Sequence, residues 1–118
     1  MKDFRKLKIW EKSHQLCLRI YEATARFPKE EIFGLTSQIR RSCVSIAANI
    51  AEGCGRNSEN ELGHFLDIAM GSASELECLI LLAKDLDYFK AKDSDELLMS
   101  VIEIKRMLGG FIHRLRKN

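Results

Sequence analysis

A chain of 118 residues that is 46% hydrophobic, with a single proline, carries enough apolar material for one continuous core. That points to one domain over residues 1–118 and excludes a disordered protein. The net charge of only +2 means that composition alone announces neither a nucleic-acid binder nor a membrane-surface binder. The charged start Met1-Lys2-Asp3-Phe4-Arg5-Lys6 leads into no apolar segment long enough for a signal peptide or a membrane span, so a cytoplasmic protein with no membrane partner is expected. Cys17, Cys43, Cys54 and Cys78 are far apart and form no C-x-x-C pair. They fit a reduced compartment, with Cys17, Cys43 and Cys78 acting as small core hydrophobes inside helical patterns, and they do not fit a zinc site.

Hydrophobic spacing predicts four helices. The first covers about 7–26, with Trp10, Cys17, Ile20, Tyr21, Thr24 and Phe27 on one face, and Pro28 ends it. The second covers about 35–52 on a stripe of Leu35, Ile39, Cys43, Ile46 and Ile50, with Gly53 and Gly55 as stop signals. Ser58-x-x-Glu61 reads as a capping box opening a third helix over about 58–88, which carries Leu62, Phe65, Leu66, Ala69, Ala73, Leu76, Ile80 and Ala83. Asp93-x-x-Glu96, or the adjacent Ser94, opens a fourth over about 94–116, with Leu97, Val101, Ile104, Leu108, Phe111 and Leu115 inward. Gly109-Gly110 inside it costs roughly 1 kcal/mol per glycine relative to alanine, which close approach of another backbone would explain. Three short connections make neighbours antiparallel, so the expected fold is all-α, an up-down-up-down four-helix bundle.

The second helix is short of charge. Residues 42–51, Ser-Cys-Val-Ser-Ile-Ala-Ala-Asn-Ile-Ala, contain none, although a helix in a monomeric bundle should present charges opposite its buried stripe. Val44, Ala47, Ala48 and Ala51 lie off that stripe and form a candidate subunit interface, because apolar surface of this kind marks a contact; the alternative is a central, well-covered helix. Alongside runs a polar line, Gln38, Arg41, Ser45, Asn49 and Glu52, facing Ser72 and Glu75 of the third helix. It reads as a structural network, including an Arg41–Glu75 ion pair that would fix register.

Charge is unevenly distributed. Residues 1–30 hold eight Lys/Arg against four Asp/Glu, residues 105–118 hold five against none, and residues 31–104 hold six against thirteen. An antiparallel bundle gathers Arg5, Lys6, Lys8, Lys12, Arg56, Arg114, Arg116 and Lys117 at one end, where they could neutralise phosphates. Complementing the dipole of the last helix is the competing explanation.

Catalysis and metal binding find little support. Glu11-x-x-His14 and Glu61-x-x-His64 look like the paired motifs of di-iron bundles. At about 100° per residue, however, Glu11 and His64 point away from their helices' inner stripes, whereas a bridged metal pair needs both members inward. Gly53-Cys54-Gly55-Arg56 lacks the spacing and preceding strand of a phosphate loop, and no Ser/His/Asp arrangement is evident. No cofactor is implied and no enzymatic activity is expected.

Five segments appear in order: Leu7-x-x-Trp10; Phe27-Pro28-x-Glu30; Phe33-Gly34-Leu35-x-x-Gln38-x-x-Arg41; Ser45-Ile46-x-x-Asn49-Ile50-Ala51-Glu52-Gly53-x-x-Arg56; and Phe65-Leu66-x-Ile68-Ala69-x-Gly71-Ser72-x-x-Glu75. Together they closely resemble the four-helix-bundle family encoded in intervening sequences of bacterial 23S ribosomal RNA genes, which includes the accessory variability determinant of diversity-generating retroelements. The resemblance implies a homopentameric, barrel-like assembly with basic surfaces. For the retroelement branch it also implies association with a reverse transcriptase and nucleic acid. The expected function is therefore that of a non-enzymatic, oligomeric protein associated with RNA or DNA. The alternative is a protein–protein adaptor or scaffold whose basic surface serves an acidic protein partner.

Overall fold

The computed structural model describes residues 2–117, which fold into four helices: α1 (Lys8–Thr24), α2 (Leu35–Cys54), α3 (Glu59–Asp85) and α4 (Ala91–Arg116). Two single 3-10 turns, Phe4–Lys6 and Lys29–Glu31, precede α1 and α2. The bundle measures 46 × 22 × 20 Å. No helix among the described residues is long and apolar enough to cross a membrane.

Contacts across the seams fix the helix directions. α1 meets α4 at Lys12–Glu103, Arg19–Ser100 and Arg26–Asp93. α1 meets α2 at Cys17–Cys43 and Thr24–Arg40. α2 meets α3 at Ser45–Ser72 and again where Gly53 lies against Leu62, and α3 meets α4 at Asp67–Arg116, Glu77–Lys105 and Lys84–Asp95. In each seam one partner's number rises as the other's falls, so every adjacent pair is antiparallel and α4 closes back on α1.

The stripes of α2 and α3 bury as expected, with Phe65 only half-buried; in α4, Leu97, Val101, Ile104 and Leu108 are buried while Phe111 and Leu115 are half-buried near the chain's end. Each fully buried aliphatic side chain contributes about 1.5–3 kcal/mol through the water it leaves. Helix α1 differs from expectation. Its core face is Ile9, Ser13, Leu16, Cys17, Ile20 and Thr24, while Trp10 is half-buried and Tyr21 is 45% exposed. Ser13 and Thr24 can be buried because each hydroxyl donates back to a carbonyl one turn earlier, Ile9 at 2.8 Å and Ile20 at 2.7 Å.

Several boundaries also move. α1 ends at Thr24, where Arg40 donates to Thr24 Oγ1 at 2.9 Å and to the Tyr21 carbonyl at 3.3 Å. Its guanidinium also lies 4.6 Å from the Tyr21 ring, so α2 supplies a cationic cap for the negative end of α1. Gly53 and Gly55 do not use left-handed backbone: α2 continues to Cys54, and Gly55 sits at φ −83°. α3 ends at Asp85 in a Schellman turn, with Asp87 at φ 62°, its N–H on the Lys84 carbonyl and the Tyr88 N–H on the Ala83 carbonyl. α4 starts at Ala91 with Lys90 at the cap position, ahead of both predicted caps: Asp93 falls in its first turn, and Ser94 is buried inside it, bonded to the Ala91 carbonyl. The Ser58 cap of α3 holds, its hydroxyl accepting from Glu61 N at 3.1 Å.

Cys17 and Cys43 are buried side by side, with their sulfurs 3.2 Å apart. The hydrogen bond to Cys17, followed by burial, holds the Cys43 thiol protonated far above the ordinary range. Cys54 is buried as well, whereas Cys78 is exposed and not the core residue its helical position predicts.

Candidate functional site

Two surfaces carry the residues that sequence singles out, and they lie on opposite seams. The first is the outer side of α2. The α2–α3 seam beneath it is close: a Cβ on Gly53 would stand 2.9 Å from Leu62 Cδ1, 3.0 Å from Phe65 Cβ and 3.3 Å from the Leu62 carbonyl oxygen. The Ser45 and Ser72 hydroxyls meet at 2.7 Å, and Asn49 Nδ2 donates to the Ser45 carbonyl and hydroxyl at 2.8 and 3.0 Å. Glu52 instead pairs with Arg56, in the turn just past the end of α2. The expected Arg41–Glu75 ion pair is not formed; Gln38, Arg41 and Glu75 are exposed and make no side-chain hydrogen bond among the described residues.

Of the predicted interface residues, Val44 is 43% exposed, Ala48 is exposed and Ala51 is half-buried. Ala47 is only 8% exposed and belongs to the chain's own core, because its phase turns it inward beside Cys43 and Ile46. Sequence reasoning missed the flanks of this face. Tyr21, held beside α2 by Arg40, and Ile68, one turn from Ser72, extend the exposed apolar surface onto α1 and α3.

The second surface is the end where α1 starts and α4 finishes. Of the eight cations assigned there, four are engaged with acids: Arg5 with Asp3, Lys12 with Glu103, Arg56 with Glu52, and Arg116 with Asp67. Arg116 makes two bonds, at 3.0 and 2.7 Å, and its guanidinium covers Gly63. Lys6, Lys8, Arg114 and Lys117 have no ion partner among the described residues, and neither do Lys2 and Arg106, which sequence did not single out. Pairing across seams depends on helix register, which spacing along one helix does not reveal.

Four of these unpaired cations, Lys2, Lys8, Arg106 and Arg114, rim one groove of about 540 Å³ between the chain start and α4. Its floor is Leu7, Ile9, Met107 and Phe111, with Gly110 beside them, and no acidic residue lines it. The chain start is held in place: Lys2 N donates to the Cys54 carbonyl at 2.9 Å, and Phe4 packs edge-on against Trp10 with ring centroids 5.0 Å apart. Asp3 accepts from Arg5 through backbone and side chain, and those bonds hold its carboxyl below the usual range. Gly109 and Gly110 are not explained by backbone approach. A Cβ on Gly109 would meet only Met70 Cε at 3.8 Å, and one on Gly110 only Arg114 Nη1 at 3.3 Å. Further along the same seam, a depression of about 640 Å³ is lined by Glu96 and Glu103 as well as Arg19 and Arg106, so it lacks the groove's single sign of charge.

Glu11, His14, Glu61 and His64 are all exposed. His14 stacks on Trp10 at 4.8 Å and His64 meets Phe65 edge-on at 5.5 Å, so each imidazole serves as a packing group on its own helix.

The sequence matches the family described as 23S rRNA-intervening sequence protein over residues 5–110. The fold is similar to that of a crystal structure from Bacteroides thetaiotaomicron VPI-5482, described as a protein with unknown function from the S23 ribosomal protein family. The TM-score is 0.79 at 27% identity, covering 88% of this chain and 97% of that one. No curated protein matches the sequence.

Proposed function

The chain belongs to the 23S rRNA-intervening sequence protein family, and from that premise we propose that it is a non-catalytic, self-associating cytoplasmic protein that holds nucleic acid by its phosphates. The observation that carries this reading is the groove rimmed by Lys2, Lys8, Arg106 and Arg114, four cations without an ion partner among the described residues. Cations already bonded to carboxylates have little to gain from a phosphate, whereas unpaired ones can release its counterions. The uncharged face of α2 lies off this seam, so copies joined through Val44, Ala48 and Ala51 leave their grooves free. A closed ring, the pentamer that the sequence resemblance implies, would multiply the cationic surface and the affinity gained by simultaneous contact.

The test is fluorescence anisotropy with a labelled RNA and a labelled DNA of arbitrary sequence across a salt series. Binding that weakens with a log–log slope of roughly −2 to −4 per engaged groove, near one unit per phosphate, is expected. The adaptor reading draws on a separate observation, the exposed Ile32 and the 95%-exposed Phe33 before α2. It predicts instead no binding to either nucleic acid at low salt, with capture of an acidic protein.

A further inference from the structure

We propose that the groove between the start of α1 and the end of α4 seats an unpaired nucleotide, its base on the Leu7–Met107–Phe111 floor and its flanking phosphates on Lys2, Lys8, Arg106 and Arg114. This rests on the nucleic-acid reading above and narrows it from phosphate backbone in general to single strands.

Three observations converge. A surface that reads only phosphates needs cations and nothing apolar beneath them, yet here a ring of cations surrounds an apolar floor with no carboxylate among the lining residues. The floor is kept open by Gly110, a residue that weakens a helix relative to alanine. A Cβ at that position would meet only Arg114 Nη1, so packing does not demand the glycine. The Arg114 guanidinium, 5.8 Å from the Phe111 ring centre, places a planar cation beside an aromatic face. That pairing suits a base, which stacks on aromatic and guanidinium planes whatever its sequence. In a duplex the bases are stacked and paired inside the helix and could not reach the floor.

The experiment compares three probes of equal phosphate count at low salt: a short oligouridylate, an RNA duplex and an abasic phosphodiester strand. The oligouridylate is expected to bind about tenfold or more tighter than the other two, the worth of roughly one stacked base. Phe111→Ala should erase that advantage, so that the oligouridylate binds no tighter than the abasic strand. Because Phe111 also packs against the core, Gly110→Leu provides a second variant that fills the groove from a helix-favourable residue and should erase the same advantage. Equal binding of all three probes, or an advantage that survives Gly110→Leu, overturns the proposal while leaving the phosphate-binding reading intact. Failure of all three probes to bind removes both.

Discussion

Along the α2–α3 seam the helices approach closely over Gly53 and a Ser45–Ser72 hydroxyl pair, and no ion pair crosses it among the described residues. Along α1–α4 the helices are spanned by long polar side chains, Lys12 to Glu103, Arg19 to Ser100 and Arg26 to Asp93, and the seam opens into a cationic groove at one end. Small residues remove both the space and the charge that a ligand site needs, leaving an apolar outer face suited to another copy. Long charged residues hold helices apart and leave cations that can exchange partners. The proposed function assigns its two tasks, self-association and phosphate binding, to these opposite seams.

The largest effect should come from charging the quiet face. Val44→Glu with Ala48→Glu leaves the chain's own core untouched. If that face joins copies, it buries two unpaired charges per subunit and raises the assembly's dissociation constant at least about a hundredfold. Light scattering should then show monomers of unchanged helicity; an unchanged assembly mass would move the interface elsewhere.

Next come two glycine-to-alanine changes of opposite sign. Gly53→Ala forces a Cβ against the Leu62 backbone and the Phe65 stem, so the overpacked α2–α3 seam should lose about 1–3 kcal/mol in urea unfolding. Gly109→Ala meets only the end of Met70 and should gain about 0.5–1 kcal/mol from helix propensity. Equal signs would show that the two seams are not differently packed.

These pairs also show what a linear sequence reveals. The stripes of α2, α3 and most of α4 were legible because aliphatic residues recur there at steps of three and four. On α1 and just past its end, Cys17, Ile20, Thr24 and Phe27 are buried as their spacing predicts. Trp10 and Tyr21 lie further out because an aromatic ring can pack along the edge of the stripe, and buried Ser13 satisfies its hydroxyl within its own helix and so reads as surface. Asp87 concealed the end of α3 by adopting a conformation usually given to glycine. For the candidate site, clustering of positive charge at one end was legible from topology. Which cations remain unpaired was not, since Lys12–Glu103 and Arg116–Asp67 depend on register between helices far apart in sequence. Arg40 and Glu31 were missed for the same reason.

Smaller effects remain. Glu77→Gln breaks the Lys105 bridge, the least exposed ion pair, and should cost about 0.2–1 kcal/mol; Lys12→Gln, in a more exposed pair, should cost less. Tyr88 donates to Glu31 Oε2 at 2.9 Å, while Glu31 Oε1 accepts from Leu35 N at 3.0 Å at the start of α2. The hydrogen bond to Glu31, then burial, raises the phenol above the ordinary tyrosine value. The phenol's contribution to stability is complete below the unfolded value near 10 and is lost as pH rises through the higher folded one. Spectrophotometric titration of Tyr21→Phe should show the raised phenol, and Glu31→Gln in that background should lower it.

The central claim, that unpaired cations rather than overall charge form the nucleic-acid surface, is tested by two triple neutralisations of equal net charge. Lys8, Arg106 and Arg114 are changed to Gln in one protein, and Arg5, Lys12 and Arg56 in the other. RNA affinity is then measured by anisotropy across a salt series. The first triple should lose most of the binding and reduce the salt slope by about 2–3, one unit for each phosphate contact removed, while the second leaves both close to wild type. Equal losses in the two proteins would contradict the account.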